Sequence, residues 1–292
     1  MIELIITIIS LALSIFIVYL SQISWFLLLP VFIGIWAVLL IIFFFSCGLI
    51  ACTVKKGSYI EKPKKIFSLL TYHICRFVMF FLRIKIYKEG FEKIDKNSKM
   101  LIVSNHQSNL DPLMLIAAFG NINLTFIMKE SILKVPVIGR WLYSAGFLPL
   151  DRNNNRKGLE TIVKSIKRVQ DGFPIGVFPE GTRSKGPNMG KLHDGTFKIA
   201  TRSASSIAVC IIDNTYSNKK RFSFKKTKIL IKVCEVLKYD VFKESTTKEI
   251  AGNVTEIMMT SLQDARSRYK WLNETINKKR WFKWTKYLTK EL

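Results

Sequence analysis

Charge is almost missing from the start of this chain. The first 54 residues hold one charged side chain, Glu3, and no Lys, Arg or Asp. A globular domain does not need so long an uncharged stretch, so a pair of buried core helices accounts for it poorly. Acidic residues are scarce throughout: 21 Asp+Glu stand against 45 Lys+Arg, a net charge of +24. All of the Lys and Arg fall in the 238 residues after the apolar stretch. Cysteines number five (Cys47, Cys52, Cys75, Cys210, Cys234), none in a Cys-x-x-Cys pair. His73 lies close to Cys75, but no second Cys/His pair stands nearby. Neither a disulfide nor a metal site is expected from that pattern, in keeping with a reducing compartment. Internal repeats and low-complexity linkers are absent too. Disorder is excluded by a hydrophobic content of 49% and a mean hydropathy of +0.20, because disordered chains are poor in apolar residues.

The apolar stretch has two halves. Leu4 to Leu20 runs for 17 residues, Ser21-Gln22-Ile23-Ser24 interrupts it, and a second run extends from Trp25 to Val54. A membrane-spanning helix needs about 20 apolar residues, which the second run meets and the first approaches. A cleaved signal peptide fits poorly, since no positive segment precedes the run and it is too long. The expectation is a transmembrane region over 1–54, either a helical hairpin or one spanning helix preceded by an interfacial one. Lys55 and Lys56 follow at once, then Lys62, Lys64 and Lys65. Positive charge flanking a span marks its cytoplasmic side, so the remainder is expected to face the cytoplasm. The same charge fits an anionic membrane surface, at roughly 1 kcal/mol per Lys or Arg near it. A nucleic-acid partner is not expected, because no nucleic-acid motif accompanies the charge.

Residues 55–89 read as a basic linker and an amphipathic helix from Ile66 to Ile86. Ile66, Leu69, Leu70, Ile74, Phe77, Val78, Phe81 and Leu82 recur there at helical spacing. Residues 90–265 read as an α/β domain. Apolar strands are expected at 100–103, 124–128, 147–150, 175–178 and 207–212, with a long sixth strand at 229–237. Helices are expected at 111–119, 157–170, 195–203 and 248–262, with a short helix or turn at 136–144. Strands alternating with helices imply an open, largely parallel or mixed sheet flanked by helices. Residues 266–292 form a basic tail interleaved with Trp271, Trp281, Phe282, Trp284 and Tyr287. Trp and Tyr among basic residues suit a membrane–water boundary; a solvated helix end is the alternative.

Loops at the carboxyl ends of α/β strands are where ligands bind. The strand at 100–103 delivers Asn105 and His106, with Asp111 five residues on at a helix start. A carboxylate beside a histidine fixes its tautomer and makes it a general base. The alternative is that Asp111 caps the helix and His106 lies on the surface. The strand at 175–178 runs into Pro179-Glu180-Gly181-Thr182-Arg183-Ser184. Gly181 permits close backbone approach and Arg183 can grip phosphate with two parallel hydrogen bonds; an ordinary turn with a solvated Arg is the alternative. Lys129 and Arg152 end the second and third strands. Four successive strands thus each place a His, Lys or Arg at the carboxyl end.

The segment from about Gly90 to Ile212 resembles the glycerolipid acyltransferase family, within it the bacterial-type 1-acyl-sn-glycerol-3-phosphate acyltransferases. Asn105-His106 with Asp111 matches the first block. Gly146 to Arg152 matches the second, and Phe178 to Ser184 the third. Lys129-Glu130 and Val135 to Gly139 match as well. Ala208 stands where the fourth block carries a proline, and Lys191 to Gly195 is less basic than is usual. The resemblance implies a catalytic His106 oriented by Asp111. It implies substrate contacts from Asn105, Lys129, Arg152, Glu180, Gly181, Thr182 and Arg183. It also implies lysophosphatidate as acceptor, acyl-CoA or acyl-carrier protein as donor, and no metal or other cofactor. Another lysophospholipid or glycerol 3-phosphate is the alternative acceptor, and a non-catalytic lipid-binding protein the alternative class.

Overall fold

The computed structural model describes residues 2–53, 63–95, 98–120, 122–151, 154–217, 226–273 and 276. The apolar stretch forms two helices, α1 (Ile2–Leu20) and α2 (Leu28–Cys52). α1 buries only Ser10, Ser14 and Val18, small side chains one turn apart that let α2 pack close. The outward faces are apolar and exposed, Phe16, Phe26, Ile41 and Phe45 among them. Both free ends of the pair return to the domain: Glu3 lies 3.5 Å from His73, and Arg140 donates to the Cys52 carbonyl at 2.9 Å. The two helices are therefore an antiparallel hairpin, each long and apolar enough to cross a membrane.

Next comes α3 (Lys65–Phe81). The sequence puts this helix on to Ile86, but it stops at Phe81. Leu82 and Arg83 turn, and Ile84–Glu89 form strand β1, paired in parallel with a later strand. The sheet thus begins before residue 90. The alternation that follows is β2 (Met100–Ser104), α4 (Asp111–Phe119), β3 (Thr125–Lys129), α5 (Glu130–Leu133), α6 (Ile138–Ser144), β4 (Leu148–Leu150), α7 (Asn155–Gln170) and β5 (Ile175–Val177). α8 (Lys198–Ser203), β6 (Ser206–Asp213), β7 (Thr227–Leu237), α9 (Tyr239–Phe242) and α10 (Thr247–Arg268) complete the strands and α-helices among the described residues. The Asn154 side chain caps α7 by accepting from the Lys157 N–H, and Thr246 with Glu249 forms a capping box on α10.

The seven strands lie in the order β1-β7-β6-β2-β5-β3-β4. β2 to β6 run in one direction; β7 is antiparallel to β6, and β1 follows β7. The mixed α/β sheet is the one the sequence implies. Its central strands are buried on both faces. Met100 and Ile102 join one core with Ala208, Cys210 and Ile212, under α3, α4 and α6. Leu101 and Val103 join the other with Ile207, Val209 and Ile211, under α7, α8 and α10. This is the period-2 alternation of a strand packed between two helical layers.

α10 runs beyond residue 265, where the sequence separates domain from tail. Leu272 is buried and Trp271 packs on Tyr87 of β1 with ring centroids 5.4 Å apart. The more distal aromatics, Trp281 to Tyr287, lie outside the described residues.

Five strands pointing one way bring five loops to one edge. Beneath that edge Gly176 of β5 meets Phe126 of β3 so closely that a Cβ would lie 2.2 Å from the ring. Gly176→Ala should therefore cost about 1–3 kcal/mol by overpacking, read as a lower thermal midpoint. An unchanged midpoint would show that the Phe126 ring can move aside.

Candidate active site

The carboxyl edge encloses a cavity of about 640 Å³. Its polar lining includes His106, Lys129, Asp151, Thr182, Arg183 and His193, its apolar lining Ile127, Met128, Ile132, Leu150 and Ile162. His106 Nδ1 is 2.8 Å from Asp111 Oδ2. Asp111 is fully buried, and the same oxygen accepts from the Gln107 N–H at 2.6 Å and the Ser108 N–H at 2.8 Å. The carboxylate thus faces back toward the strand end. The helix N-cap position belongs to Leu110, so the capping alternative for Asp111 is not what this carboxylate does. An acceptor that faces Nδ1 fixes the proton there and leaves Nε2 as a base.

The imidazole also has a floor. Its ring stacks on Phe178 at 4.1 Å and 17°, and Phe178 in turn lies parallel to Phe126 at 5.4 Å and 11°. Its backbone is held at both ends. The His106 N–H donates to Glu180 Oε1 at 2.6 Å, and its carbonyl accepts from the Ser184 N–H at 2.8 Å. Glu180 Oε2 accepts from the Gly190 N–H at 2.7 Å. Burial pushes the Glu180 carboxyl above its ordinary value, against the backbone donors at His106 and Gly190 and the imidazole nearby, which favour the ionised form. Gly181 adopts φ +67, and His193 sits so close that a Cβ would lie 3.2 Å from its ring. The left-handed backbone favours glycine there, and a side chain would also press on the His193 ring.

Residues 85–213 match the Acyltransferase family model. Over 132 residues the chain is 34% identical to the 1-acyl-sn-glycerol-3-phosphate acyltransferase of Borreliella burgdorferi, covering 45% of this chain and 52% of that protein. Over 165 residues it is 30% identical to the probable 1-acyl-sn-glycerol-3-phosphate acyltransferase of Mycoplasma genitalium, covering 54% of this chain and 61% of that protein. The chain thus spans little more than half the length of these relatives. The fold is shared with the crystal structure of the 1-acyl-sn-glycerophosphate (LPA) acyltransferase, PlsC, from Thermotoga maritima. The TM-score is 0.59 at 22% identity, over 68% of this chain and 80% of that one.

The residues chosen from sequence divide into two groups. His106, Lys129, Gly181, Thr182 and Arg183 line the cavity. Asn105 and Glu180 do not: they stand behind its wall. The Asn105 carboxamide donates to the Ile212 carbonyl and accepts from the Ile212 N–H, both at 2.8 Å. It works as a piece of strand backbone, tying the end of β2 to β6, and is buried outside the cavity lining. Glu180 spends both oxygens on backbone N–H groups and shapes the loop. Arg152 lies outside the described residues; Asp151 and Asn154 on either side of it line the cavity. Sequence reasoning missed His193, a histidine in the loop after the third block, and the apolar wall, whose residues read as ordinary strand and helix core.

Asn105→Ala should strand the buried Ile212 groups and cost about 1–3 kcal/mol for each one left unpaired. The loss should appear in thermal stability and leave the acceptor KM unchanged; a raised KM at unchanged stability would return Asn105 to the substrate site. Glu180→Gln removes the titrating group and sets an NH2, which cannot accept, against one of the two backbone N–H groups. Because the folded state raises the Glu180 proton affinity, its contribution to stability is lost as pH rises through the shifted value. The variant should be less stable than wild type at acid pH, and the deficit should narrow toward neutrality. A constant difference in thermal midpoint across that range would contradict the burial argument.

Proposed function

We propose that this chain is a membrane-bound O-acyltransferase that moves an acyl chain from a thioester donor to the free hydroxyl of 1-acyl-sn-glycerol 3-phosphate, giving phosphatidate. The observation that carries the proposal is the His106–Asp111 pair opening on a cavity lined by both cationic and apolar side chains. The names of the two bacterial relatives agree with it.

In this mechanism His106 Nε2 takes the proton of the acceptor hydroxyl as its oxygen attacks the thioester carbonyl. Buried Asp111 stabilises the imidazolium that forms. The tetrahedral oxyanion collapses, the C–S bond breaks, and the departing thiolate recovers the proton from His106. Neither a covalent enzyme intermediate nor a metal is called on, because a thioester is already activated and positioning supplies much of the barrier reduction. Lys129 and Arg183 lie exposed at the cavity and hold the acceptor phosphate. The apolar wall takes acyl chain. The donor is acyl-CoA or acyl-carrier protein.

The hairpin anchors the chain, and its two ends lie on the side of the domain. The lysines after the apolar run put that side, and the site, in the cytoplasm. An anionic membrane surface is the partner of the basic chain.

Purified full-length protein should transfer acyl groups to lysophosphatidate faster than to other lysophospholipids or glycerol 3-phosphate when offered both donor types. His106→Ala should lower turnover about 10²–10⁴-fold, the usual worth of a general base. Arg183→Lys keeps the charge but loses the planar fork, so the acceptor KM should rise with little change for the donor. Near-normal turnover of His106→Ala would remove this mechanism, and preference for another acceptor would reassign the substrate.

A further inference from the structure

We propose that Arg266, from the far end of α10, is a positioning residue for His106. The proposal rests on the reading of His106 as the base and adds how that base is held. Arg266 Nε donates to Asp213 Oδ2 at 2.7 Å, and Nη2 donates to Asp213 Oδ1 at 3.2 Å and to the Pro187 carbonyl. Two limbs run from this fork to the imidazole.

The first limb goes through Asp213, which is fully buried at the carboxyl end of β6. Its Oδ1 also accepts from Gln107 Nε2 at 3.1 Å. The other end of that carboxamide accepts from the Thr215 N–H and hydroxyl at 3.2 and 3.3 Å. Gln107 is thereby clamped at both ends, and its own N–H is the 2.6 Å donor to Asp111. The second limb goes through Pro187. It lies in the loop between Ser184, whose N–H holds the His106 carbonyl, and Gly190, whose N–H holds Glu180. Glu180 holds the His106 N–H. One guanidinium therefore ties together the segments that fix the backbone and the carboxylate partner of the imidazole.

Stability alone does not explain the arrangement. A buried ion pair is often no better than a well-packed apolar replacement. Arginine is the side chain that suits this position because its planar fork reaches both carboxylate oxygens and a carbonyl together, which lysine cannot do. Small displacements matter here: misplacing a reacting group by about 1 Å can cost on the order of 10²-fold.

The test uses full-length protein carrying Arg266→Met together with Asp213→Asn, so that no buried charge is left unpaired. Turnover per folded molecule should fall about 10–100-fold, with both substrate KM values within about twofold. Gln107→Ala should reproduce the loss, and combining it with the pair should add little, as expected of one connected network. Ring-nitrogen NMR supplies a readout independent of turnover, since only three histidines contribute and His106→Ala assigns the signal. Wild type should show the Nδ1–H tautomer, and the variants a mixture. A fall in thermal midpoint with turnover and tautomer unchanged would make Arg266 structural only and overturn the proposal. Full additivity with Gln107→Ala would overturn the route through Gln107. If wild type transfers no acyl group to any acceptor, the proposed function falls, and the tautomer result still decides for or against Arg266.

Discussion

A carboxylate sealed from water persists only where donors surround it, and the active edge of this protein is built around one. Asp111 meets three donors on a single oxygen: the His106 ring and the N–H groups of Gln107 and Ser108. Those backbone donors point inward only because the chain leaves β2 in a tight, irregular path before α4 begins. Asn105 starts that path by fastening the strand end to β6. Glu180 finishes it from the opposite side by grasping the His106 N–H. The geometry of the imidazole is thus a property of three strands, not of one loop.

The sheet direction makes this possible. β2, β5 and β6 are neighbours or next neighbours running the same way, so residues far apart in sequence arrive side by side at their carboxyl ends. Asn105, Glu180 and Asp213 are separated by dozens of residues in the chain, yet each stands within one hydrogen bond of the His106 segment. Both faces of the sheet are covered by helices, so side chains below that edge are core and the chemistry is confined to the loops above it. The reversed pair β7 and β1 lies on the far side of β6, and none of the described residues of these two strands lines the cavity.

The sheet and most of its elements were legible in sequence because their hydrophobic periods are regular, and His106, Asp111 and Arg183 because chemistry-bearing residues follow strand ends. β1 was not legible: Ile84 to Glu89 continues an apolar, basic run whose spacing suits the preceding helix, and only its pairing with β7 makes it a strand. Asn105 and Glu180 sit in motif positions, but a motif says which residues matter and not where an amide or a carboxylate points. Their roles became readable only once Ile212 and Gly190 were seen opposite them. Arg266 was hidden among the charges of a basic tail. Nothing local distinguishes it from Arg268, which faces Asp264 and Glu89 at the surface. The buried partner that singles it out lies at the end of another strand.

The aromatic stack under His106 has a consequence for motion. Phe178 carries the imidazole, and Phe126, only 1% exposed, carries Phe178. Regions that open locally are those with few buried apolar contacts, and this ring column is the opposite case, a direct extension of the interior up to the reacting group. The base therefore has no soft hinge beneath it. It keeps its place for as long as the sheet keeps its core and loses it in the same cooperative step, so the adaptability needed to admit different lipids must come from the cavity walls around His106 and not from His106 itself.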